Sequence, residues 1–209
     1  MPDAHDIQRI DGYDDPRFSR EVLLQHGAFL VDGVPCEVEI TGADSAIVRA
    51  DPARRAALID TFRFYAEHVV RFFDGEGAPV ASFSPVTRFA APLDAIQPSQ
   101  FFVDADKLAA VAGFIHAPED IVVPLVPRDG RFVSLDGHSR LALAVARGWD
   151  AVTGFVTRGD DWLEVFVREA ERRGVRSPRD LSVLPHAEYV EKWDRYCDAV
   201  FARSAARPE

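Results

Sequence analysis

The amino-acid sequence predicts an α/β protein, α+β overall, and three observations carry that reading. Val34, Cys36, Val38 and Ile40 alternate with Pro35, Glu37, Glu39 and Thr41, the period of two that a half-buried strand produces. Apolar side chains recur at three- and four-residue spacing around Ile59 and Phe62 and again around Tyr189 and Trp193, which is a helical period. Between these stretches, a continuous apolar run over Ile121–Val126 precedes a strand-to-helix turn at Leu135–Leu141. The chain accordingly divides into a small N-terminal α+β module over residues 1–85, a central α/β domain over 86–158 and a C-terminal helical segment over 159–209.

Taken in order, the elements follow from local signals. The first 16 residues carry Asp6, Asp11, Asp14 and Asp15 with few large apolar groups and read as a lead-in. Asp32-Gly33 punctuates a short strand around Ala28–Val31, and Gly42-Ala43-Asp44 turns into another around Ala46–Ala50, giving a small antiparallel meander. Asp51-Pro52 starts a helix, with the Asp side chain as cap and Pro at the first helical position. Ile59, Phe62, Ala66, Val69 and Phe73 form its stripe, and Asp74-Gly75 with Gly77 end it. The stretch Pro79–Pro85 is then the junction. Asp104 opens a helix with Leu108, Val111, Ala112 and Ile115 on one face, and Arg128-Asp129-Gly130 turns the Ile121 strand back through Phe132 and Val133. A short helix over Leu141–Val145 is closed by Gly148, and Ala151–Thr157 is one more strand. In the tail, Asp160 or Asp161 starts a helix that Gly174 ends, Ser177-Pro178-Arg179-Asp180 starts a second, and Tyr189, Trp193, Tyr196, Cys197, Val200 and Phe201 mark one face of the last.

Composition excludes several functions. The formal net charge is −10, and no segment is basic: residues 1–85 hold 8 basic against 15 acidic groups, 86–158 hold 7 against 8, and 159–209 hold 9 against 11. Wrapping a nucleic-acid backbone needs a lysine- and arginine-rich face, so DNA is not an expected partner. Cys36 and Cys197 are far apart and outside any Cys-x-x-Cys pair, which signals neither a redox motif nor a thiolate metal site. The acidic start lacks a basic flank and apolar run, and no stretch approaches the length of a membrane span. A cytoplasmic protein without a membrane partner is expected; oligomeric state carries no signal.

Chemistry concentrates at Leu135-Asp136-Gly137-His138-Ser139-Arg140-Leu141. A turn into a helix presents amide groups without partners, Gly137 lets a ligand approach the backbone, and Arg140 can fork two bonds to phosphate or carboxylate. Asp136 can hold Mg²⁺ or a substrate hydroxyl, and His138 can donate to phosphate or act as acid or base. The plainer reading stands beside this one: Asp136 caps the helix, Arg140 pairs with Glu119 or Asp120, and His138 is a surface group. Asp104 and Asp106 at a helix start are what the helix dipole attracts. His26, His68, His116 and His186 share no ligand spacing. Ser139 sits in no nucleophile elbow.

Residues from about Leu93 to Val156 resemble the ParB/sulfiredoxin-like superfamily. The resemblance rests on Ile-x-Pro-Ser-Gln at Ile96–Gln100, a helix, Val-x-Pro at Val122–Pro124, the Leu-Asp-Gly-His-Ser-Arg box and Gly148. Sulfiredoxins carry a catalytic Cys where this chain has His138, which excludes their chemistry. Chromosome-partitioning ParB proteins use an arginine-rich Gly-Glu-Arg-Arg box to bind CTP and carry a helix-turn-helix domain beyond it, whereas the residues after this box are acidic. The Asp-Gly-His-His-Arg box of the free-serine kinases looks most like Asp136–Arg140. By that resemblance Gly137, His138, Ser139 and Arg140 cradle phosphate, with Asp136 and His138 as catalytic residues. Ser139 replaces a histidine, and Gln100 stands where those kinases place a catalytic Glu, leaving a ligand contact without a base. The resemblance thus implies a nucleotide- or phosphate-binding protein taking ADP, ATP or CTP, with Mg²⁺ held at Asp136. Two activities fit: a phosphotransferase or nucleotide hydrolase acting on a small molecule, and a non-catalytic nucleotide-responsive sensor or adaptor.

Overall fold

The computed structural model describes residues 5–10, 12, 14–42, 44–113 and 115–205; Asp11 and Ala43, read above as lead-in and turn, lie outside them. The architecture is α+β and falls into two compact units: Met1–Arg88 with Phe155–Thr157, and Phe89–Gly154 with Arg158–Glu209. Among the described residues no helix is long and apolar enough to cross a membrane.

The first unit is a six-stranded sheet in sequence order, β1 (Ile7–Arg9), β2 (Ala28–Val31), β3 (Val34–Ile40), β4 (Ser45–Arg49), β5 (Arg71–Phe73) and β6 (Pro79–Ser82). The short helix α1 (Arg20–Leu24) precedes β2, and α2 (Pro52–Tyr65) links β4 to β5. The β2–β3 hairpin turns on Asp32 and Gly33, both at positive φ (54° and 74°), as a two-residue turn matched to strand twist requires. Neighbours are antiparallel except β4 and β5, which run parallel, so α2 is a crossover. Phe29, Val38, Val48, Leu58, Ile59, Phe62 and Phe72 share the core.

Four expectations change here. The lead-in contributes a strand, Ile7–Arg9, which pairs with β2. The helix from Pro52 ends at Tyr65 instead of running to Phe73. Ala66 and Val69 stay buried in the same core as Phe62, so helical spacing continues past the helix itself, while Arg71–Phe73 leaves to pair with β4. Asp51 makes no side-chain cap; its Oδ2 accepts from Arg54 Nη1 at 2.6 Å. Pro79–Ser82 is an edge strand on β5, where proline loses no ladder bond, so the junction stretch is structured in its first half.

The second unit carries most of a five-stranded sheet ordered β7 (Arg88–Pro92), β12 (Ala151–Val156), β10 (Val122–Arg128), β11 (Arg131–Ser134) and β8 (Ile96–Pro98). A separate parallel pair joins β9 (Phe102–Asp104) to β13 (Ser182–Leu184). Helices α3 (Ala105–Ala112) and α4 (His138–Ala146) bury Val111, Leu141, Leu143 and Ala144 with Ile96, Val123 and Leu125. Residues 158 onward belong to this unit: α5 (Asp161–Arg172) packs Leu163 and Val167 on Val133 and Leu135, and Ala170 on Phe101. The start read at Ser177 is satisfied within one 3-10 turn, where Asp180 Oδ2 accepts from Ser177 N at 2.9 Å. The chain then departs as β13, and helix resumes only at α6 (His186–Tyr189). A π turn over Val190–Asp194 leads into α7 (Arg195–Ala205). Phe101, Phe166, Trp193 and Tyr196 form one aromatic cluster there, with centroids 4.9 to 6.0 Å apart.

Candidate functional site

β11 feeds α4 through Leu135, Asp136 and Gly137, and the local backbone explains the glycine. Gly137 sits at φ +86°, a left-handed position costly to other residues. A Cβ there would also meet Val123 Cγ1 at 2.8 Å and Arg140 Nε and Nη2 at 3.1 Å, so the missing side chain gives the guanidinium its place. The helix opens with no side-chain cap and no acidic residue in its first turn, and its first intrahelical bond runs from Leu141 N to Gly137 O at 2.9 Å. The amides before it make an edge of positive potential. Ser139 lies half-buried on that edge.

Arg140 does not pair with Glu119 or Asp120. Its Nη1 donates to the Val122 carbonyl at 2.6 Å, and Nη2 lies 3.4 Å from Asp136 Oδ2. Asp136 is 39% exposed and Arg140 23%, so the pair flanks the turn and faces solvent in part. A single carboxylate already opposed by a guanidinium does not fit a protein-held Mg²⁺ site, which takes several oxygen ligands; a magnesium ion there would have to arrive on a ligand's phosphates.

His138 is no surface group. It is buried, with Nε2 at 3.1 Å from Ser134 Oγ and 3.3 Å from Ser99 Oγ. Ser99 donates its one hydroxyl proton to the Ser134 carbonyl at 2.8 Å, so a hydrogen bond between Ser99 and the ring requires the Nε2–H tautomer. Burial takes the ring down from 6.5 to about 4, with Asp136 opposing and Arg140 adding to the fall. At neutral pH His138 is an uncharged ring that ties the start of α4 to the Ile96–Gln100 segment. The two stretches that carry the resemblance therefore meet at Ser99 and His138.

Gln100 turns elsewhere. Its amide donates to the Phe102 carbonyl and, at 2.9 Å, to the Tyr189 hydroxyl. Tyr189 is itself buried, and burial pushes its phenol well above the usual range. Gln100 cannot take a proton, and His138 is buried with its value lowered to about 4, which makes it a weak base at neutral pH.

A second constellation joins residues 82 positions apart. Asp104 caps α3, one carboxylate oxygen accepting from Asp106 N at 2.8 Å. The other lies 2.7 Å from His186 Nδ1. The parallel register sets Leu184 opposite Asp104, which delivers His186 two residues later. Its hydrogen bond to Asp104 raises the His186 value above 6.5, with burial opposing and the charges of Asp104, Asp106 and Asp194 adding to the rise. Sequence spacing separates His186 from the two aspartates, and only the strand pairing unites them. On the first unit, an open groove of about 640 Å³ runs past Arg49, Asp51, Arg55 and Asp74. These charges are matched to protein partners: Arg55 to Asp74, Asp51 to Arg54, Arg49 to Glu39.

No protein-family model matches the chain, and no curated protein matches it. Among solved structures it is similar to the protein Atu1540 from Agrobacterium tumefaciens, at 14% identity over 53% of this chain and 69% of that one, with a TM-score of 0.35. A likeness at that level assigns neither family nor activity to the chain.

Proposed function

We propose that the chain binds a phosphate-bearing small molecule, a nucleotide of the ADP, ATP or CTP class, at the turn opening α4, and that it acts as a ParB-like, nucleotide-responsive sensor or adaptor. The observation that carries this reading is the uncapped amide edge at Gly137–Arg140, which has no acidic side chain in its first turn and a guanidinium alongside. Such an edge attracts phosphate. Binding is favoured over phosphoryl transfer because burial makes His138 a weak base and Gln100 is turned to Phe102 and Tyr189.

The test is thermal unfolding of the whole chain with ADP, ATP or CTP, each with and without Mg²⁺. A ligand at a hundred times its dissociation constant adds about 2.7 kcal/mol, a rise of roughly 5–10 °C for a chain of this size. Ser139→Glu supplies the specificity control. A carboxylate in the first turn stabilises the helix while repelling phosphate, so unliganded stability holds and the ligand shift disappears. Absence of a shift with every nucleotide overturns the proposal. Phosphate release by the wild type that Asp136→Asn abolishes would replace the sensor reading with the enzyme reading.

A further inference from the structure

We propose that Asp104, Asp106 and His186 form a binding site for one divalent first-row metal ion, of the Mn²⁺ or Zn²⁺ class, separate from the α4 turn. Among the described residues one group of three metal-ligating side chains comes together, and this is it: their ligand atoms all lie within 4.8 Å of one another. The His186 Nδ1 to Asp104 Oδ2 separation of 2.7 Å is close to the roughly 3 Å between two ligands each about 2.1 Å from a metal at a right angle. The Asp106 carboxylate lies within 4.8 Å of both.

Helix capping alone does not account for the arrangement. A capping carboxylate needs one amide, which Asp104 has in Asp106 N. Yet Asp104 is completely buried, and its second oxygen is presented to an imidazole carried in from the far end of the unit by β13. The amide bond fixes that carboxylate's orientation in the way that outer hydrogen bonds orient metal ligands. Charge argues in the same direction. Two aspartates converge on one imidazole. One imidazolium balances at most one of the two converging carboxylates; a dication with a neutral imidazole balances both. Mixed carboxylate and imidazole donors without thiolate suit Mn²⁺ or Zn²⁺, and three protein ligands leave positions open for water or substrate.

The experiment is a titration of the whole chain, stripped with chelator and free of nucleotide, with Mn²⁺ followed by paramagnetic resonance and with Zn²⁺ followed by calorimetry. One ion per chain is expected. Asp106→Asn alters an exposed side chain and should fold with wild-type melting in chelator; His186→Gln removes the partner of the buried Asp104 oxygen and should fold with a lower melting temperature; both should bind at least tenfold more weakly. Ser139→Glu should leave metal binding unchanged, which separates this site from the nucleotide site: either can fail without the other. Absence of stoichiometric binding, or affinity untouched in both variants, would overturn the proposal and leave an ion pair at a helix cap.

Discussion

Stability should fall between pH 7 and pH 5 because of one buried ring, and His138→Gln should remove that fall. The folded value of His138 is depressed from 6.5 to about 4, so as pH drops the unfolded chain takes up the proton first. The stability that depends on a neutral ring is fully present above 6.5 and is lost as pH falls through about 4. The whole shift corresponds to about 3 kcal/mol, of which about 2 kcal/mol falls between pH 7 and 5. Carboxylates act lower down: Glu169, held near 2 chiefly by its hydrogen bond from Arg172, loses its contribution only as pH falls below 4.5. His186 has the opposite sign, since its raised value gives stability below 6.5 that is lost as pH rises. Comparing wild type with His138→Gln cancels both. The measurement is urea unfolding at half-unit pH steps from 7.5 to 4.5. Glutamine keeps a donor for Ser99 while removing the titration, so the difference between the two curves should shrink by about 2 kcal/mol on going from pH 7 to 5. Parallel curves would refute the placement of His138 against Ser99 and Ser134.

Two further outcomes test the frame around the sites. Gly27→Ala places a Cβ 1.9 Å from the Val38 carbonyl oxygen, a backbone atom that cannot step aside; a loss of about 3 kcal/mol is expected, lowering melting by roughly 6–12 °C, and an unchanged melting curve would contradict the β2–β3 packing. Cys197 is pushed up to about 12, first by burial and then by Asp194 and Asp198, and burial also raises Cys36. In native buffer Cys197 should react with a disulfide reagent roughly 30–60-fold more slowly than a free thiol, the smaller thiolate fraction being partly offset by the greater nucleophilicity of a more basic thiolate, and at the ordinary rate in urea; fast native labelling would show that the face of α7 carrying Cys197 is not packed against its neighbours.

The local features were legible. Alternation over Val34–Ile40, the Asp32-Gly33 turn, the Asp104 cap and the glycine before α4 each follow from a few adjacent residues whose chemistry allows one conformation. Features set by distant partners were not. Helical spacing from Ile59 to Val69 reflects a shared core, and it carries no mark of where the helix gives way to β5. Ser182–Leu184 has no alternation to mark it as a strand; its partner β9 makes it one. In the candidate site, the juxtaposition of Gly137, Ser139 and Arg140 follows from adjacency. The burial of His138 and the diversion of Gln100 to Tyr189 depend on residues 39 and 89 positions away, which no local pattern encodes.

The β9–β13 pair has a consequence for the order of assembly. Its strands are three residues each, too short to hold alone, and bringing them together closes a loop of about 80 residues at an entropic cost of about 4 kcal/mol. The aromatic cluster of Phe101, Phe166, Trp193 and Tyr196 must supply the compensating burial. Asp104 therefore meets His186 late in folding, and the two part early when the unit loosens. Hydrogen exchange at Val183 and Leu184 would then run ahead of exchange at Val123 and Leu125, and the constellation would act as a latch reporting whether the last helices have seated.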